Sequence, residues 1–194
     1  YLTVVEQLGA PNAYRVRIPN AEIRDSFTNN IKARFSDANN EFVTYGLDLA
    51  KAALSGDCDK MAEVLVPLLN NYISIRDTAT KAPAENYYHS FLTALLGRAG
   101  TYAKDLRSNV EAGDGFADII FNHGVGSKRT GVIIEIKRCE KPEDMYDRAD
   151  AALRQIKDKR YTAYLDRLRC SKQYIYDITF CRKDCAISGD IIKS

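Results

Sequence analysis

Residues Thr130 to Lys137, T-G-V-I-I-E-I-K, are a run of mostly β-branched apolar residues interrupted by a glutamate and a lysine two positions apart. Such a run favours an extended strand, because branching at Cβ restricts χ1 in a helix and packs well on a pleated surface. Side chains on a strand alternate with a period of two, so Ile133, Glu135 and Lys137 face one way and Val132, Ile134 and Ile136 the other. One face therefore carries two opposite charges. Upstream, G-D-G-F-A-D-I-I-F (Gly113 to Phe121) reads as a second strand with Phe116, Asp118 and Ile120 on one face. The polar, glycine-bearing N-H-G-V-G-S-K-R between the two reads as a hairpin connection.

Antiparallel pairing with that connection centred near Gly126 and Ser127 puts Asp118 opposite Glu135. Two carboxylates and an ammonium then converge. Like charges side by side on a half-buried sheet cost free energy unless a cation lies between them, and a carboxylate pair beside an open coordination position is what Mg²⁺ requires. The arrangement predicts a metal site. The competing reading is a cross-strand salt bridge in which Lys137 neutralises one carboxylate, a pair worth little. Spacing alone does not separate the two.

At 194 residues the chain can bury a proper core in one or two domains, and 45% apolar with 28% charged residues is the composition of an ordinary soluble globular protein. No apolar run reaches the length that spans a bilayer, and the amino terminus lacks the basic-then-apolar pattern of a secretory signal. The chain opens on Tyr1 rather than Met, which predicts a piece cut from something longer. Five cysteines (Cys58, Cys139, Cys170, Cys181, Cys185) are scattered without paired metal-ligand spacing, so reduced thiols and a cytoplasmic location are expected. Two histidines, His89 and His123, exclude a histidine-rich metal centre. A net charge of +2 neither demands nor forbids a nucleic-acid partner. Local clusters say more: Lys104 with Arg107, Lys128 with Arg129, and Arg138 with Lys141 are expected to flank the site, the alternative for each being a solvated surface.

Two short strands are expected at Y-L-T-V-V-E-Q and Y-R-V-R-I-P, followed by a helix capped by Asn20 with Ile23, Phe27, Ile31 and Phe35 on one stripe. Further helices are expected from Ala38 to Leu54 and from Asp57 or Asp59 to Tyr72, the latter with Met61, Val64, Leu65, Leu68 and Leu69 inward and a kink at Pro67. Residues 1–80 thus read as a mainly helical connector region and residues 81–194 as a second domain. That domain opens on a helix from Ala84 to Arg98 with Tyr88, Leu92, Leu95 and Leu96 inward and Pro83 in its first turn. A strand near Thr101 to Val110, the two strands above, a helix from Glu143 to Lys159, a short helical extension through Leu168 and a strand from Gln173 to Cys181 complete the order α-β-β-β-α-β.

This order, with the stretches N-Y-Y-H-S-F-L-T-A-L-L (Asn86 to Leu96), S-N-V-E-A-G-D-G-F-A-D-I-I (Ser108 to Ile120), V-I-I-E-I-K (Val132 to Lys137), A-L-R-Q-I-K-D-K-R-Y (Ala152 to Tyr161) and I-T-F-C-R-K-D-C (Ile178 to Cys185), resembles the PD-(D/E)XK nuclease superfamily. It is most similar to the branch that follows an AAA-ATPase-like domain in bacterial proteins, and R-I-P-N-A-E-I-R-D-S-F (Arg17 to Phe27) resembles that branch's connector. The resemblance implies an α/β fold, a restriction-endonuclease-like core with a mixed central sheet, preceded by the small helical region. It implies a Mg²⁺- or Mn²⁺-dependent nuclease acting on nucleic acid, most readily DNA, with an AAA-ATPase-like domain as a partner. By the same likeness Asp118 takes the place of the motif aspartate, Glu135 of the acid and Lys137 of the lysine, with Gln155 as a glutamine near the site. Asp118, Glu135, the main-chain carbonyl of Ile136 and waters would hold the ion, and Glu85 corresponds to a first-helix acid for which Glu111 competes. Phe116 stands where many relatives carry an arginine. The alternative implied by the same fold is an inactive adaptor that binds nucleic acid or a protein partner.

Overall fold

The computed structural model describes residues 3–7, 14–17, 41–72, 84–145 and 161–193. Strands β1 (Thr3–Gln7) and β2 (Tyr14–Arg17) pair antiparallel, where the sequence predicts two short strands. Tyr1–Glu41 forms one compact unit and Phe42–Ser194 another. The stripe from Ile23 to Phe35 lies outside the described residues, as does most of the helix expected from Glu143 to Lys159.

Helix α1 spans residues 41–55 and α2 spans Cys58–Tyr72. The capping residue of α2 is Asp57, whose Oδ1 accepts the main-chain N–H of Lys60 at 2.9 Å. All five apolar residues read as the inward stripe of α2 are buried. Helix α3 (Ala84–Leu96) buries Tyr88, Leu92, Leu95 and Leu96, as its spacing requires. Gly46 lets α1 lie against the end of α3: a Cβ there would collide with the carbonyl oxygen of Leu95.

Strands β3 (Lys104–Ala112), β4 (Gly115–His123), β5 (Thr130–Arg138), β6 (Lys172–Cys181) and β7 (Asp184–Lys193) form one sheet in the order β3-β4-β5-β6-β7. Only β5 and β6 run parallel, so the chain must cross over between them, whereas the other pairs are antiparallel. One face packs Ile119, Phe121, Val132, Ile134, Ile136, Tyr174, Tyr176, Ile178 and Phe180 against α1, α2 and α3 in a single core. The opposite face packs Ile120, Ile133 and Ile175 with Tyr161, Cys170 and Leu165, the last from helix α4 (Thr162–Arg167). Both faces of the sheet centre are thus covered. The result is the mixed α/β, restriction-endonuclease-like core that the element order implies.

Two elements differ from the sequence reading. The strand expected from Thr101 starts at Lys104, because Gly100, at φ 57, opens a 3-10 turn over Gly100–Ala103. Strand β7 has no counterpart in that reading. Its hairpin turn places Arg182 at φ 57, a conformation usually announced by glycine or asparagine, and S-G-D (Ser188 to Asp190) interrupts its apolar pattern. The turn is held from outside, since the Tyr88 hydroxyl donates to the Arg182 carbonyl at 2.6 Å and the Tyr88 ring stacks on Phe180 at 4.3 Å.

Candidate active site

Strands β4 and β5 pair from His123↔Thr130 to Ile119↔Ile134, and there the ladder ends. Asp118 and Glu135 stand one step beyond the last pair, across from one another, as the centring of the connection predicts. The main-chain N–H of Ile136 donates instead to Asp118 Oδ2 at 2.8 Å, so a carboxylate occupies the gap between the strands. The Asp118 carbonyl, in turn, accepts a hydrogen bond from His89 Nε2 on α3 at 3.0 Å.

The alternation of side chains slips at this point. Ala117 and Ile120, three positions apart, pack into the same cluster, so Phe116, Asp118 and Ile120 do not share one face as simple alternation predicts. Phe116 is 64% exposed. On β3, Asn109 lies between the pairs Ser108↔Ile119 and Val110↔Ala117, hence across from Asp118, and it takes φ 52. A positive φ on a non-glycine residue costs about 1 kcal/mol and concentrates at functional sites.

Along the same cross-strand row Glu135 pairs with Asp177 on β6, and Asp177 with Ser188 on β7. Polar residues therefore cross the sheet in one line: Asn109, Asp118, Glu135, Asp177 and Ser188. Glu135 is only 3% exposed. Its Oε1 accepts from Lys137 Nζ at 3.0 Å, and its Oε2 is buried without a hydrogen-bond partner. Burial first, and then the Asp118 charge, push the Glu135 carboxyl above its ordinary range despite Lys137. Burial works against the Lys137 charge as well, but the ion pair with Glu135, helped by Asp118 and Glu85, outweighs it and holds the ammonium above the usual lysine range. Glu135 rises chiefly because it is buried, and Lys137 because more than one carboxylate acts on it.

Asp118, Ile136, Lys137 and Asn109 line a cleft of about 110 Å³ whose other wall is Glu85, Asn86 and His89 of α3. The structure thus brings Asp118, Lys137, Ile136 and Glu85 to one cleft; Glu135 does not line it and is joined to it by the hydrogen bond to Lys137. Glu111 does not line this cleft; it pairs with Phe116, two residues further along β3. Gln155 lies outside the described residues. Of the basic clusters expected to flank the site, Lys128 and Arg129 do not: they stand at the β4–β5 connection, the opposite end of the hairpin, roughly 20 Å away by strand rise. Arg129 there donates to the Leu168 carbonyl. Sequence reasoning missed Asp177, His89 and Asn109. Asp177 was detectable as the one acid within the apolar run of β6, whereas Asn109 and His89 gave no local signal.

Among the described residues no three His, Cys, Asp or Glu side chains form a ready cage for a metal ion. The donors present nevertheless fit a hard divalent cation: two carboxylates and a main-chain carbonyl are oxygen ligands, and Mg²⁺ keeps several waters of its own. A buried carboxylate oxygen without a donor, Glu135 Oε2, is the feature such a cation would relieve. None of the five cysteines forms a disulfide, so no such bond staples the site. A family model described as the PD-(D/E)XK nuclease superfamily matches residues 83–189, which span α3 to β7. No curated protein and no solved structure gave a significant match.

Proposed function

Because the chain belongs to the PD-(D/E)XK nuclease superfamily, we propose that its Asp118, Glu135 and Lys137 form the centre of a metal-dependent nuclease that hydrolyses phosphodiester bonds in DNA. The observation that carries this reading is the meeting of the three side chains at the point where β4 and β5 part, beside an open cleft. Asp118, Glu135 and the Ile136 carbonyl would hold Mg²⁺ or Mn²⁺, with Glu85 on the facing wall. When bound, such an ion acidifies a water and offsets the charge that builds on the scissile phosphate.

Lys137 does the rest from its own chemistry. Its ammonium stays protonated at neutral pH, so it orients the attacking water and donates to phosphate oxygens rather than taking a proton from the water. Glu135 fixes the lysine head by the 3.0 Å hydrogen bond. His89 fixes the main chain of Asp118, and Ile136 N–H fixes the Asp118 carboxylate, so the acid is held before substrate arrives. Gln155 completes the set by the family likeness.

The test is nicking of supercoiled plasmid in Mg²⁺ or Mn²⁺ by the wild type, Glu135→Ala and Lys137→Ala. Each substitution is expected to lower the rate by at least about a hundredfold, and EDTA to abolish it. Equal nicking by all three proteins would assign the activity to a contaminant and leave the inactive adaptor as the better reading.

A further inference from the structure

On β6, next to Glu135, lies an acid that no step above uses. We propose that Asp177 is a positioning residue of the divalent-ion site, a third carboxylate that stands behind Glu135 and strengthens ion binding without touching the ion. The inference rests on the nuclease reading of that site.

Strands β5 and β6 run parallel in register, with Glu135↔Asp177 and Lys137↔Thr179, so the two pairs sit side by side. Neighbouring strands are about 4.8 Å apart, a distance at which charges in a dry interior act strongly on one another. Asp177 is 0% exposed. Its Oδ1 accepts the Thr179 hydroxyl at 2.6 Å, while Oδ2 is buried with no hydrogen-bond partner. Glu135 Oε2 is in the same condition. Two buried carboxylate oxygens without donors, at paired positions on adjacent strands, are a costly arrangement if structure is all they serve. An asparagine at 177 would fit the same space, keep an acceptor for Thr179 and offer Glu135 a donor. The aspartate withholds that donor and adds an acid.

The charges point the same way. Asp118, Glu135 and Asp177 all act on one another and on a single ammonium, Lys137. Glu135 does not line the cleft but meets it through its hydrogen bond to Lys137, which does; Asp177, one strand further on, does not line it either and stands behind Glu135. Its contribution therefore passes through Glu135 by electrostatics, since a second acid beside that carboxylate deepens the negative potential a cation meets there.

The experiment follows the melting temperature of the whole chain through a Mn²⁺ titration for the wild type, Glu135→Gln, Asp177→Asn and Thr179→Val. Asp177→Asn is expected to melt higher than the wild type without metal and to need about ten to a hundred times more Mn²⁺ for half its shift. A purely structural aspartate would give the opposite first result and leave the second unmoved. Thr179→Val releases Asp177 from its anchor and should weaken Mn²⁺ binding by less; it keeps the question open to measurement if Asp177→Asn fails to fold. A wild-type Mn²⁺ response that Glu135→Gln loses and both β6 variants keep in full would overturn the role of Asp177 and spare the nuclease reading. No Mn²⁺ response in the wild type would overturn both.

Discussion

The two ends of the β4–β5 ladder are made of the same strands and behave as different materials. Towards the connection, Ile119, Phe121, Val132 and Ile134 pair in register and are buried to the last atom in the core shared with the helices. Towards the cleft, the pairing stops, a carboxylate takes a main-chain donor, side-chain alternation slips and Asn109 adopts a positive φ. The first end stabilises; the second consumes stability, because acids are buried there without enough donors. A strained site of this kind persists only where the surrounding structure over-determines it. Here the frame and the site are continuous, so the dry end of each strand sets the position of its charged end.

That contrast is broken most severely by exchanging the effects. Lys137→Ala should abolish nicking, at least about a hundredfold, while destabilising less than a core truncation, because the lysine is partly exposed and Glu135, already pushed upward by burial, takes a proton once its cation is gone. Ile134→Ala, one residue from Glu135, should do the reverse: loss of a fully buried side chain costs about 2–5 kcal/mol, and whatever folds should keep its activity. Denaturant unfolding and plasmid nicking, measured on both variants, decide it. If Lys137→Ala destabilised as much as Ile134→Ala, the division between frame and site would be wrong.

A middling effect is expected from pH. Burial pushes the Asp177 carboxyl up to about 7 from its ordinary 3.8. A carboxyl that keeps its proton to higher pH in the folded than in the unfolded chain contributes stability that is complete below about pH 4 and lost as pH rises through about 7. Glu135 shifts in the same direction. The metal-free protein should therefore melt lower near pH 8 than near pH 5, each unit of that window being worth at most roughly 1.4 kcal/mol. Asp177→Asn should flatten the slope in EDTA. An unchanged slope in that variant would show that the titrating group lies elsewhere.

How much of this was legible follows from which signals are local. Period-two alternation around Glu135 and the centring of the connection at Gly126 and Ser127 placed Asp118 beside Glu135 without any tertiary knowledge. Period 3.6 gave the buried stripes of α2 and α3 residue by residue. What the sequence hid was non-local. Helices α1 and α2, read as part of a connector, bury their apolar faces in the core that covers the sheet, and nothing in their own spacing says against what they pack. Strand β7 is held by Tyr88, more than ninety positions away, rather than by turn residues of its own. Alternation was also misleading at the site itself, because it holds only where a ladder is regular, and the slip at Asp118 and Asn109 is what opens the cleft.

The smallest effect concerns that slip. Asn109 lines the cleft, faces Asp118 across the strands and holds φ 52, so its backbone and its side chain are separable contributions. Asn109→Gly adopts the conformation without a Cβ penalty, whereas Asn109→Ala keeps a Cβ and loses the local polarity that lets asparagine tolerate it. Asn109→Ala should be less stable than Asn109→Gly by about 1 kcal/mol, although alanine is ordinarily the better residue in a strand or helix. Both variants remove the same carboxamide from the cleft. If nicking falls equally in the two while stability differs, the side chain serves the substrate and the backbone the opening of the ladder. Equal stabilities would mean that the strand relaxes at Asn109 and that the slip is imposed from β4 alone, by the Asp118 carboxylate lodged against Ile136.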